Sequence, residues 1–241
     1  MNSIFFLPLI LIVLFFLSRA LIKNLYLFFY RLTKSQEKAV NFLTWLVLPG
    51  TIIHELSHLL AAELLRVRTG RLFFKPEVKN DGRIRAGGLE IAKTGPFRQA
   101  LIGLAPILMG TAIITSLAYF YLLPLVDFFP TPFHLQGFPP PLLAGDSSAS
   151  EAFLLPLLFY LIFVISNTMF SSKKDLETIL FPLLIILLGL TVYWLGGFKI
   201  SFSPELISQI SQLFKALNFS LLGAVVVDLG FLGLIKIFNR R

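Results

Sequence analysis

Long apolar runs alternate with short polar stretches along this chain, and that pattern sets its architecture. Six apolar segments are long enough to cross or enter a bilayer, which takes about 20 residues each. They run over approximately 4–30, 40–65, 100–126, 152–170, 178–198 and 219–238. The first is the least regular, since its apolar run from Ile4 to Leu17 is followed by Arg19 and Lys23. It reads either as one long tilted helix or as a short span with an interfacial helix. It has neither a basic leader nor a small-residue cleavage site, so a removed signal peptide is not expected.

The polar stretches are distinct. Between residues 66 and 98 the alternation is that of strands, with one run at Arg71–Lys75 and another at Arg83–Lys93. Lys79-Asn80-Asp81-Gly82 between them is a hairpin turn signal. The hairpin either caps a helix bundle or offers an edge strand to an extended ligand. Loop 126–151 is rich in Pro and Phe and is expected to be irregular. Over 203–217, Ser203 suits an N-cap and Pro204 the first helical position. Leu206, Ile207, Ile210, Leu213, Phe214 and Leu217 then form one apolar stripe, as in an amphipathic helix lying in the outer membrane interface.

The expected fold is an all-α polytopic membrane protein of about six transmembrane helices with a small cytoplasmic β-hairpin. Residues 1–38 form an N-terminal helix, 39–178 a three-helix core, and 179–241 the C-terminal helices. Composition agrees. Apolar residues make up 56% and charged residues 14% of the chain, where a soluble domain carries nearer a quarter charged. The net charge of +8 reflects basic residues flanking apolar spans, which argues against nucleic-acid binding. Nine Lys and Arg between Arg66 and Arg98, then Lys173, Lys174, Arg240 and Arg241, place those stretches and the C-terminus on the cytoplasmic side. Arg31 to Lys38 conflicts with this placement. The location implied is an integral membrane, the plasma membrane of a prokaryote or an organelle membrane of related origin.

Cysteine is absent, so any metal must be held by His, Asp or Glu. Among only three histidines, His54 and His58 lie one helical turn apart within His54-Glu55-Leu56-Ser57-His58. Both imidazoles can reach one metal from that spacing, about 40° around the helix and 6 Å along it. Glu55, about 100° from His54, can touch a metal-activated water as general base without ligating the metal. Such residues in an apolar helix are costly and functional by default. Glu63 lies on the opposite face from His54 and cannot share its metal. Zinc needs a third protein ligand. His134, Asp127, Asp146, Asp175 and Asp228 are the candidates, and Asp175 has the best-matched depth. Asp228 and Arg19 would relieve each other's cost as a buried pair between the first and last helices.

With these residues in hand, the chain resembles the site-2 protease family of intramembrane zinc proteases. That family carries His-Glu-x-x-His in one helix and, two helices later, an Asn with an Asp eight residues on. Asn167-Thr168-Met169-Phe170-Ser171-Ser172-Lys173-Lys174-Asp175 repeats the step, and Thr94-Gly95-Pro96 opens the intervening helix. The resemblance covers about residues 40–178. It departs at Phe170 and Leu176, where the family has Pro and Gly. Ser172 to Asp175 also fits a helix capping box. The resemblance implies a Zn2+ cofactor held by His54, His58 and Asp175, catalysis by Glu55, and substrate binding by Asn167. Its implied partners are a transmembrane protein substrate and the lipid bilayer. The alternative is a non-proteolytic, chaperone-like membrane protein on a protease scaffold, which the intact motif disfavours. A solute transporter is weaker still, because no repeat of broken helices is present.

Overall fold

The computed structural model describes residues 3–74, 77–78, 84–85, 88–118, 148–170 and 203–239, together with helical pieces between 184 and 196. Five long helices and one hairpin make up the described fold: α1 (Ser3–Thr33), α2 (Gln36–Leu64), β1 (Thr69–Phe73), β2 (Glu77–Val78), β3 (Ile84–Arg85), β4 (Gly88–Ile91), α3 (Pro96–Leu117), α4 (Ser148–Thr168) and α5 (Pro204–Asn239). Four stretches have the length and apolarity to cross a membrane: Phe6–Thr33, Gln36–Leu64, Pro96–Leu117 and Pro204–Phe238. Helix α4 adds a shorter apolar stretch, Pro156–Thr168. The six expected spans are therefore four among the described residues. Large apolar side chains face outward on every one of these helices, Trp45 and Leu64 at more than 70% exposure. A belt of that kind suits lipid better than water.

Local chemistry places the helix ends. Helix α1 is continuous over 31 residues, which resolves the choice left open for it. It stops where Lys34 takes a φ of 49° and donates its N–H to Tyr30 at 2.7 Å. Ser35 then caps α2 by accepting from the Lys38 N–H. At the far end of α2, Arg66 sits at φ 53°, its N–H donates to the Glu63 carbonyl, and the Val67 N–H reaches back to Ala62 at 2.8 Å. Those two bonds make a Schellman stop. The accompanying apolar contact is present, since Val67 is buried in one cluster with Ala62 and Ile102.

The hairpin pairs antiparallel at its base, Thr69 with Ile91 and Phe73 with Gly88, and again nearer its tip, Val78 with Ile84. The last pairing encloses residues 79–83, so the Lys79–Gly82 turn signal falls where a turn is required. That turn itself lies outside the described residues. The Ala92 N–H donates to the Arg68 carbonyl, closing the base beside the end of α2.

Cross-helix contacts give the directions. Phe29 stacks on Phe42, so α1 and α2 form an antiparallel pair joined by a tight turn. The Tyr160 hydroxyl donates to the Leu46 carbonyl at 2.8 Å, and Gly50 faces Val164 and Thr168, so α4 runs parallel to α2. Phe163 packs on Phe231 while Asp228 meets Ser166 and Asn167, so α5 runs antiparallel to α4. Phe28 meets Phe238, which keeps α5 parallel to α1. The shared core includes Leu14, Leu21, Ile114, Phe163 and Leu221.

Two expectations are corrected by these directions. Residues 203–217 are not a separate interfacial helix. They are the first turns of a continuous 36-residue α5, about 54 Å long at 1.5 Å per residue. Ser203 does cap it, accepting from the Leu206 N–H at 3.3 Å. Because α4 ends and α5 begins on the hairpin side, the end of α5 lies with the turn at Lys34, opposite the hairpin. The C-terminal end and the hairpin were expected to share a side.

Candidate metal centre

His54, Glu55 and His58 lie on the buried side of α2, about ten residues before its end. Gly50, one turn earlier, lets α2 approach α4 closely: a Cβ there would meet the Val164 carbonyl oxygen and lie 2.5 Å from Thr168 Oγ1. His54 is 4% exposed and His58 6%. Their Nε2 atoms face each other at 3.2 Å, with the rings nearly perpendicular.

The second nitrogen of His58 is also engaged. Nδ1 lies 2.8 Å from the Ile102 carbonyl of α3. A carbonyl only accepts, so Nδ1 carries the proton and donates. The lone pair of His58 is then on Nε2, directed at His54. Two imidazole nitrogens on one tetrahedral zinc, each at about 2.0–2.1 Å, lie roughly 3.3–3.4 Å apart. The observed pair is within about 0.2 Å of that, and a backbone acceptor behind a ligating His is the usual orienting partner. The histidines therefore fit a divalent cation of zinc type. The same separation also suits one imidazole N–H donating to the other ring.

The remaining candidates separate. Asp175, His134, Asp127 and Asp146 lie outside the described residues. Among the described residues no group of three His, Asp or Glu side chains comes together. Glu55 is buried and follows His54 directly in α2. Glu63 lies away from them at the exposed end of α2, where Thr69 Oγ1 donates to its carboxylate at 3.2 Å.

Asp228 is fully buried, and Arg19 is not its partner. The Arg19 guanidinium stands 5.2 Å over the Phe15 ring on an exposed part of α1. Asp228 instead accepts from Ser166 Oγ at 3.0 Å and from Asn167 Nδ2 at 2.9 Å. Asn167 Nδ2 also donates to the Phe163 carbonyl at 2.7 Å. With its nitrogen so engaged, the amide is oriented, and Asn167 Oδ1 is buried with no donor among the described residues. Asn167 adjoins Thr168, which faces Gly50, so it sits within about one helical turn of the depth of His54.

Spacing alone did not disclose three of these features: the Ile102 carbonyl behind His58, the close approach at Gly50, and the role of Ser166. Gly50 had a readable signal, a small residue one turn before the motif in an apolar helix. No protein-family model, curated protein or solved structure matches the chain.

Proposed function

We propose that the chain is a zinc-dependent endopeptidase that cuts peptide bonds within or next to the membrane, in the manner of the site-2 proteases it resembles. The observation that carries this reading is the His54–His58 pair, with Nε2 atoms 3.2 Å apart and His58 fixed from behind by Ile102. Bound zinc would make a water nucleophilic near neutral pH and polarise a carbonyl. Glu55, buried on the same helix, would serve as general base, accepting a proton from the attacking water and returning it to the leaving amine. The apolar helices limit access of bulk water.

Asp175 is the proposed third ligand. Helix α4 runs parallel to α2 and reaches Thr168 beside Gly50, one turn short of His54. Seven residues of chain from Thr168 span up to about 24 Å, ample for a step of one turn. Asn167 supplies an oriented amide at that depth for a substrate backbone. The substrate class is a transmembrane protein segment opened at the cut site.

Replacing Glu55 with Gln tests the mechanism, because it removes the base and keeps the shape. Cleavage of a model transmembrane peptide is expected to fall at least 100-fold, a general base being worth about 10²–10⁴. Zinc content should stay at one per chain. Cleavage at wild-type rate by the Glu55→Gln protein would sink the mechanism. Zinc binding with no cleavage by the wild-type protein would favour the non-proteolytic reading.

A further inference from the structure

We propose that Pro106 is a positioning residue for His58: by lacking an N–H it releases the Ile102 carbonyl, which then holds His58 in its metal-binding tautomer. The inference deepens the metal reading above and rests on it.

In an α-helix the carbonyl of residue 102 accepts from the N–H of residue 106. Residue 106 is Pro, inside α3 and fully buried. Pro has no N–H, and its ring pushes against the carbonyl four residues back. Ile102 O is thus left without its helical donor. A buried carbonyl in that condition costs free energy unless another donor meets it. The donor it meets is His58 Nδ1 at 2.8 Å, from the neighbouring helix. Ile102 is itself 3% exposed and its side chain packs on Ala62, one turn beyond His58, so the carbonyl is held against the α2 face that carries the motif.

The consequence is chemical. A neutral imidazole carries its proton on one nitrogen, and a fixed acceptor at Nδ1 leaves the lone pair on Nε2. That is the nitrogen facing His54 Nε2 at 3.2 Å. Without the released carbonyl, His58 would divide between two tautomers and two ring orientations. Outer partners of this kind are worth about 10–100-fold in metal affinity. A proline kept only for its kink would not govern the imidazole proton.

The test reads the tautomer and zinc affinity together. Metal-free full-length protein labelled with ¹⁵N-histidine has only three imidazoles, His54, His58 and His134. The His58 signal is identified by its loss in His58→Gln. In wild-type protein it should report a protonated Nδ1. Pro106→Ala restores an N–H that competes for Ile102 O. It should move His58 toward the Nε2–H form and weaken zinc binding about 10–100-fold against a chelator.

A second variant carries the α-hydroxy analogue of alanine at 106, an ester with neither ring nor N–H. It should keep the wild-type tautomer and return zinc affinity to the wild-type value. If Pro106→Ala does not fold, this ester decides alone. Wild-type tautomer and affinity in Pro106→Ala, or loss of both in the ester protein, overturns the proposal. Wild-type protein that takes no zinc refutes the metal reading instead, and the tautomer shift then still decides the link from Pro106 to His58.

Discussion

Gly50→Ala should uncouple the motif helix from α4. An added Cβ would meet the Val164 carbonyl oxygen, and it would lie 2.5 Å from Thr168 Oγ1 and 2.8 Å from the Val164 carbonyl carbon. Ordinary contact begins near 3.4 Å. The Thr168 hydroxyl can rotate, at the expense of its own bond to the Val164 carbonyl. The backbone of Val164 cannot rotate away and its carbonyl oxygen is the nearest atom, so the helices must part by roughly 1 Å to restore ordinary contact. Overpacking of this kind costs about 1–3 kcal/mol. A displacement approaching 1 Å between groups that must act together can cost about 100-fold in rate. A loss of about 100-fold in cleavage is therefore the expectation. The assays are unfolding of the protein in bicelles, zinc competition and peptide cleavage. Gly223→Ala is the control, because a Cβ there meets nothing within 4 Å. It should hold or raise stability, by at most about 1 kcal/mol from helix propensity. A Gly50→Ala protein as stable and as active as Gly223→Ala would refute the close approach.

Two further outcomes follow from the same packing. Asp228→Ala takes the acceptor from the Ser166 hydroxyl and the Asn167 amide; it should destabilise by about 1–3 kcal/mol, with Asp228→Asn intermediate, and equal unfolding of all three proteins would contradict the contacts. Arg66→Gly and Lys34→Gly each relieve a left-handed backbone worth about 1–2 kcal/mol and add chain entropy worth about 0.5–1, so each should stabilise by about 0.5 kcal/mol. They sit at opposite ends of α2, so thermal shifts of the double variant should sum.

Spacing made the shared face of His54 and His58 legible, because a four-residue step on a helix has one geometry. The hairpin was legible from its turn residues, and Ser203 as a cap from the Pro after it. The partner of Asp228 was not. Pairing it with Arg19 follows formal charge, yet a buried carboxylate is also satisfied by O–H and N–H donors, and Ser166 with Asn167 gives no charge signal. The direction of α5 was not legible either. Hydropathy marks 219–238 as apolar and long enough to span, and it carries no information on which way the helix runs. Contacts between distant residues, Phe28 with Phe238 and Phe163 with Phe231, carry the direction.

Those contacts also show where the fold is most constrained. The end of α4 meets neighbours on three faces. Val164 and Thr168 lie against Gly50 of α2, Ile165 and Met169 against Gly110 of α3, and Ser166 and Asn167 against Asp228 of α5. Met169 Cβ would be 3.1 Å from a Cβ at Gly110, so this approach too depends on the missing side chain. Close backbone approach through small residues is how helices associate firmly when lipid offers no hydrophobic drive. The constraint is concentrated on the last turn of α4, whereas the first turns of α5 leave Leu206, Ile207 and Leu213 exposed. A metal ligand must be held to within about 0.5 Å by its supporting shell. If the chain beyond Thr168 supplies that ligand, the last turn of α4 is the anchor from which it is placed. Disturbing Gly50 or Gly110 should therefore lower zinc affinity even though neither residue touches the metal.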